Sequence, residues 1–135
     1  MASTTYNVKT ATTAQERMEV ATEIWRQIRA SLCPFEIMSW GVSKKIATEY
    51  HGMPALQLRV SGLLHKGWVM VCLNKGYDWY EVYFLDVRGR TKAYDTEVYC
   101  DELGGLLDRR IERGNFEDAE YARKAMADSR RKFNR

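Results

Sequence analysis

The sequence predicts an α+β fold with one N-terminal helix, an antiparallel β-meander of four to five strands, and two C-terminal helices. Apolar residues recur with a helical period near both ends of the chain, whereas strand-like alternation and short turns occupy its middle. A chain of 135 residues suits one domain. We expect that domain to cover residues 13–131, between a flexible segment at 1–12 and a basic tail at 132–135.

The predicted N-terminal helix has a start signal, an apolar stripe and a stop signal. Thr13 and Glu16 have the spacing of a capping box, in which each side chain bonds the backbone amide of the other residue. Apolar residues then recur at spacings of four and three, which places them on one helix face. They are Ala14, Met18, Ala21, Trp25, Ile28 and Leu32. Pro34 disfavours helical backbone at Cys33, so the helix should end there.

The middle of the chain predicts a β-meander. The predicted strands are residues 35–42 with a weaker continuation at 44–50, then 55–60, 68–73, 79–85 and 91–94. Residues 68–73 are apolar throughout, which predicts a central strand covered on both faces. The connecting turns are too short for parallel crossovers, so neighbouring strands should be antiparallel.

Two further helices are predicted after the meander. One begins between residues 95 and 101, and the other covers 116–131 with a thin, alanine-rich apolar face that should make it the least stable element. Gly104 and Gly105 either weaken the first of these helices or let another segment pack closely. The expected core comprises Trp25, Ile28, Leu56, Leu58, Val69, Val71, Val82, Phe84, Leu103 and Leu107.

No pattern in the sequence predicts a catalytic centre, a cofactor or a metal site. His51 and His65 fall in predicted turns, where we expect them to be exposed to solvent. The three cysteines, Cys33, Cys72 and Cys100, are too far apart for a zinc motif and odd in number. The cysteine pattern favours a reducing cytoplasm. The sequence also shows no signal peptide and no apolar stretch long enough to span a membrane, so we expect no membrane partner. An enzyme is therefore the less expected class.

Aromatic residues in the strand at 79–85 indicate a partner surface. Strand alternation directs Trp79 and Tyr83 to one face and Tyr80 to the other. If helices cover one face, the second exposes large aromatic side chains, as interaction surfaces and stacking platforms do. The candidate partner-binding residues are Trp79, Tyr80 and Tyr83; a third helix or a second copy covering that face is the alternative.

Basic residues concentrate near the C-terminus and carry the second functional hypothesis. They include Arg123, Lys124, Arg130, Arg131 and Lys132, which could grip nucleic-acid phosphates or form a solvated helix end. The leading hypothesis is a non-catalytic accessory or protein-interaction module, with a protein partner or a second copy. Nucleic-acid binding is the alternative. The sequence neither supports nor excludes a small-ligand pocket between sheet and helix.

Overall fold

A computed structural model describes residues 12–133, and the side chains up to residue 130. The elements in chain order are helix α1 (Ala14–Ser31), helix α2 (Pro34–Ser39), strands β1 (Lys44–Tyr50), β2 (Met53–Ser61), β3 (Lys66–Asn74), β4 (Trp79–Leu85) and β5 (Thr91–Val98), helix α3 (Leu103–Asp108), a π-helical turn (Arg109–Arg113) and helix α4 (Asp118–Phe133). The strands form one antiparallel sheet in the order β1-β2-β3-β4-β5. The predicted α+β fold and meander are therefore confirmed.

The predictions for both chain ends fall mainly on residues outside this range. Residues 1–11 and 134–135 lie outside the described part of the chain. Thr12, the last residue of the predicted N-terminal segment, is buried, and its hydroxyl donates to the Glu49 carboxylate on β1. Among residues 12–133, none of the helices has the length and apolar composition needed to cross a lipid bilayer.

Helix α1 forms where the sequence predicts it and covers one face of the sheet. The Thr13 hydroxyl accepts the Glu16 amide at 3.1 Å, as expected for an N-cap. The Glu16 carboxylate does not complete the capping box but pairs with Lys75 Nζ at 2.7 Å, which ties the helix start to the β3–β4 turn. Every expected core residue is buried except Trp25, which is partly buried.

The strand predicted at residues 35–42 is wrong, because this segment contains α2. Pro34 is the first residue of the helix. A backbone N–H at this position makes no intrahelical hydrogen bond, so proline, which lacks that N–H, is tolerated there. The Glu36 carboxylate accepts the Cys33 amide at 2.8 Å. Helical spacing turns Phe35 and Met38 outward, 78% and 72% exposed. Trp40, three residues after Ile37, enters the core instead.

Two further boundaries differ from the prediction. The β1–β2 turn consists of His51 and Gly52 alone, with φ values of 50° and 78°, as in two-residue hairpin loops, so Met53 already belongs to β2. Strand β5 continues to Val98, beyond its predicted end at residue 94. Helix α3 therefore begins at Leu103, after the predicted range of 95–101.

The chain after α3 widens into a π-helical turn that anchors two neighbouring segments. The Ile111 carbonyl accepts the amides of Leu64 and His65 at 2.9 and 3.2 Å. The buried Glu112 carboxylate accepts the Leu63 amide at 2.7 Å and the Tyr121 hydroxyl at 2.6 Å. Through these bonds the turn holds both the loop before β3 and the start of α4.

Helix α4 is attached mainly through polar groups. Asp128 is the one buried residue among the helix side chains that are described, and its carboxylate lies 3.4 Å from Lys66 Nζ. Tyr121 makes the second attachment through Glu112. The described side chains of α4 bury little apolar area, and the expectation that α4 is the least stable element stays a prediction.

Candidate functional site

Within residues 12–133, one face of the sheet is covered by strand residues rather than by helices. Its apolar cluster contains only residues of β1 to β4, while α1, α3 and the π-helical turn contribute to the cluster on the opposite face. We call this surface the open face. Its residues are Tyr50, Met53, Ala55, Trp68, Met70, Cys72, Trp79, Glu81, Tyr83, Leu85 and Tyr94. The prediction that β3 is central is confirmed, but on the open face the described neighbours that bury Met70 and Cys72 are strand side chains.

Tyr83 is the centre of an aromatic cluster that crosses the open face. Its ring lies 5.2 Å from that of Tyr50, 5.0 Å from that of His51 and 5.8 Å from that of Tyr94, measured between centroids. These separations are those of favourable aromatic pairs. Tyr94, at the outer end, remains 61% exposed. The cluster thus presents rigid apolar rings to solvent from both edges of the sheet.

The two ends of the open face differ in charge. At one end Trp68 is flanked by two cations, with Arg59 Cζ 5.0 Å and Lys44 Nζ 5.9 Å from the ring centroid. Towards the other end, Glu81 lies opposite Cys72, four residues farther along β3. At about 3.3 Å per residue this separates the opposite charges by about 13 Å along the strands.

The Glu81 carboxylate is fixed by two neighbouring donors. Asn74 Nδ2 and the Tyr83 hydroxyl each donate to it at 2.8 Å. Burial alone would raise the pKa of Glu81, but these hydrogen bonds outweigh it and hold the pKa below its usual range. Burial and the same carboxylate raise the pKa of Tyr83. Glu81 therefore carries its charge at neutral pH with several of its acceptor sites satisfied.

The structure separates the three predicted aromatic residues. Trp79 and Tyr83 lie on the open face, and Trp79 stacks on Tyr77 with centroids 4.6 Å apart. Tyr80 does not belong with them, because strand alternation turns it under α1. There it is 7% exposed and its hydroxyl donates to Gln27 Oε1 at 2.7 Å. Tyr80 therefore lies on the face that α1 covers, apart from the other two candidates.

Sequence reasoning missed the other aromatic members of the open face. Tyr50, Trp68 and Tyr94 come from three different strands and join Tyr83 only through the strand register. The signal in the sequence was the position of each residue within its alternating segment. That signal identifies a shared face only after the pairing of the strands is known.

The basic candidates lie on a different element. Arg123, Lys124 and Arg130 are exposed on α4, while the side chains of Arg131 and Lys132 fall outside the described set. Lys124 Nζ lies 5.0 Å from the Phe116 ring centroid. These side chains form a basic surface on one helix.

The histidines and cysteines do not assemble a reactive centre. His65 was expected to be exposed, but it is buried, with Nε2 3.0 Å from the Trp68 carbonyl oxygen, because the Ile111 carbonyl draws its loop inward. Burial lowers the pKa of His65 and raises that of Cys72 to about 12. Within residues 12–133, no three or more potential metal ligands come together.

Comparisons of the chain with protein-family models, with curated proteins and with solved structures find no match. The function is therefore inferred from the open face itself. That face is aromatic and apolar at its centre, with cations at one end and a carboxylate towards the other. Such a surface is suited to packing against another protein surface.

Proposed function

We propose that the protein is a non-catalytic interaction module that self-associates by packing the open faces of two copies together. The observation that carries this proposal is the apolar, aromatic sheet face that, among the described residues, only strand side chains cover. Two sheets that pack face to face bury both inner surfaces in a layer about 10 Å thick. A second copy would thereby give the open face the coverage that α1 gives the opposite face.

The size of the open face fits a dimer of modest affinity. Five strands of about seven residues, spaced about 4.8 Å apart and rising about 3.3 Å per residue, cover roughly 550 Å². Two such faces would bury roughly 1,100 Å² in total, slightly above the ~1,000 Å² that a specific interface needs. Aromatic residues at its centre are the type that contributes most binding energy.

The charge pattern favours a second copy over an unrelated partner. A twofold axis across the strands would place the cationic end of one open face over the carboxylate end of the other. Because this axis keeps the strand order, Glu81 on β4 of one copy would lie about 10 Å (two strand spacings) from Arg59 on β2 of the other, and this attraction would occur twice because the interface is symmetric. The presence of both charge signs on the face, rather than a continuous basic patch, supports a protein partner rather than a polyanion.

Sedimentation velocity over a wide concentration range tests this proposal. We expect the wild-type protein to show a concentration-dependent monomer–dimer equilibrium. Tyr94→Ala removes an exposed ring of the open face and should weaken dimerisation at least about tenfold. Trp79→Ala and Tyr83→Ala should do the same, with circular dichroism confirming that each variant is folded.

Tyr99→Ala is the matched control, because Tyr99 is 48% exposed and follows the end of β5. It should dimerise as the wild type does. A wild-type protein that stays monomeric at all concentrations would contradict the proposal. Equal dimerisation by the Tyr94 and Tyr99 variants would also contradict it, since the interface would then lie elsewhere.

Nucleic-acid binding by α4 is a second candidate that one observation favours. Asp128 points inward to Lys66, so the exposed charges of α4 between residues 122 and 130 are all basic, at Arg123, Lys124 and Arg130. Fluorescence anisotropy of labelled oligonucleotides should then show affinity that falls steeply with salt. Replacing these three residues by glutamine should abolish binding. No binding by the wild type at low salt would exclude this function.

A further inference from the structure

A groove between α1 and the edge of the sheet forms a separate cavity. It has a volume of about 370 Å³ and lies on the face opposite the open face. Its floor comprises Ala21, Ala47 and Leu56, and its walls include Met18 and the partly buried Trp25. Small-molecule sites begin at about 300 Å³ and are mostly apolar, so this groove has the size and lining of a ligand site.

Three cations surround the mouth of this apolar groove. They are Arg26, Arg29 and Lys45. Glu23 neutralises Arg26 through two hydrogen bonds of 2.9 and 2.7 Å, and this pairing lowers the pKa of Glu23 to about 2. Arg29 and Lys45 have no ion-pair partner within the part of the chain that the structure describes. The groove mouth therefore carries positive charge that its own residues do not neutralise.

We propose that this groove binds an amphipathic anion, a single-chain carboxylate of the fatty-acid type. The alkyl chain would lie along the apolar floor, and the carboxylate would accept hydrogen bonds from Arg29 and Lys45. Lys45 Nζ lies 4.7 Å from the Trp25 ring centroid, which places this cation directly beside the apolar wall. A hydrophobic cavity with charge at its mouth selects both parts of such a ligand.

Isothermal titration calorimetry with three ligands of equal chain length tests the proposal. Decanoate, decanol and decyltrimethylammonium carry the same alkyl chain with a negative, neutral or positive head. We expect decanoate to bind at least about tenfold more tightly than decanol, and decyltrimethylammonium to bind more weakly still. Equal affinity for decanoate and decanol, or no decanoate binding, would overturn the proposal. So would binding to anionic lipid vesicles in the absence of decanoate binding.

Two variants locate the site. Thr22→Trp adds a large side chain at an exposed helix position that lines the groove, so the fold should persist while decanoate binding is lost. Lys45→Gln should weaken decanoate about tenfold and leave decanol unchanged. Lys92→Gln, an exposed lysine on β5, is the control and should bind decanoate normally. Unchanged decanoate affinity in the Thr22 variant would overturn the assignment. The test is independent of dimerisation, because the groove and the open face lie on opposite sides of the sheet.

Discussion

The hydroxyl of Tyr83 donates a hydrogen bond to the Glu81 carboxylate, two residues earlier on β4, at 2.8 Å. The bond joins the central ring of the open face to the one carboxylate among the residues that define it. It fixes the orientation of the ring and satisfies an acceptor that a second copy would otherwise have to desolvate. In the proposed dimer, this pair would meet the second copy with one of its acceptor sites already satisfied.

Tyr83→Phe should raise the pKa of Glu81 towards its ordinary value of 4.5, because one of the donors that favour the charged form is lost. The stability that the lowered pKa contributes is present above pH 4.5 and is lost as the pH falls through the folded-state value, so the variant should lose less stability on acidification. A carbon-13 NMR titration of the Glu81 carboxyl measures the change. Tyr94→Phe is the control, and an unchanged Glu81 pKa in Tyr83→Phe would show that the bond does not form.

Tyr121→Phe should loosen α4 without unfolding the sheet. The Tyr121 hydroxyl donates to the buried Glu112 carboxylate at 2.6 Å, and a bond to a charged group contributes about 1.5–3 kcal/mol. Hydrogen-exchange mass spectrometry should show roughly 10- to 100-fold faster exchange over Asp118–Phe133, with β3 unaffected. Tyr99→Phe should leave exchange unchanged. Equal protection of α4 in the wild type and Tyr121→Phe would contradict this attachment.

Alkaline pH should loosen the same helix. Burial and the Glu112 carboxylate raise the pKa of Tyr121 above its ordinary value of 10.0. Because the pKa of Tyr121 is higher in the folded state than in the unfolded state, its protonated hydroxyl stabilises the fold fully below pH 10.0. This stabilisation is lost as the pH rises towards the folded-state pKa. Thermal denaturation monitored from pH 8 to 12 should show a steeper alkaline decline for the wild type than for Tyr121→Phe. Parallel declines would contradict a role for Tyr121.

Asp108→Asn should not destabilise the protein at neutral pH, although Asp108 is buried. Its Oδ1 atom accepts the Trp40 indole N–H at 2.9 Å, and asparagine retains that acceptor. Burial raises the pKa of Asp108, so the ionised form opposes folding at neutral pH and the cost disappears as the carboxyl protonates. Urea denaturation should show the Asp108→Asn variant equal to or about 1 kcal/mol more stable than the wild type at pH 7. Trp40→Phe should instead lose about 1–3 kcal/mol. A loss above about 1 kcal/mol in Asp108→Asn would mean that the charge itself stabilises the fold.

The adjacent glycines of α3 should respond oppositely to alanine. A Cβ at Gly104 would lie 2.2 Å from Ser31 Oγ and 3.2 Å from Leu32 Cγ, whereas one at Gly105 would meet only the end of Arg109 at 3.7 Å. Gly104→Ala should therefore destabilise by about 1–2 kcal/mol, while Gly105→Ala should stabilise by about 0.5–1 kcal/mol through helix propensity. Urea denaturation of both variants compares them directly. Similar effects at both positions would contradict close packing of α3 on α1.

The parts of the fold that local chemistry determines could be predicted from the sequence. Helix α1 has a cap and a stripe within its own residues, and β4 has the predicted bounds 79–85. The strand prediction for residues 35–42 is wrong because a short apolar segment fits both the strand and the helix period, and Pro34 signals the start of α2 as well as the end of α1. The burial of His65 depends on Ile111, which is distant in the sequence, so no local pattern could show it.

The candidate site was predictable only in part. Alternation along β4 correctly separates Tyr83 from Tyr80, but the choice of face depends on where α1 packs. Trp68 and Tyr94 join the open face through the register of β3 and β5 with β4, which the sequence does not reveal. The groove beneath α1 likewise requires the helix position, although Lys45 and Trp25 are individually visible in the sequence.

Isotope-filtered NMR on a mixture of carbon-13-labelled and unlabelled protein tests the proposed dimer most directly. Above the dissociation constant, we expect intermolecular NOEs that involve the rings of Tyr94, Trp68 and Tyr83, all on the open face and at least partly exposed. Met126, exposed on α4, should give none. Intermolecular NOEs confined to α4 or α1, or none at any concentration, would contradict packing of two copies through the open face.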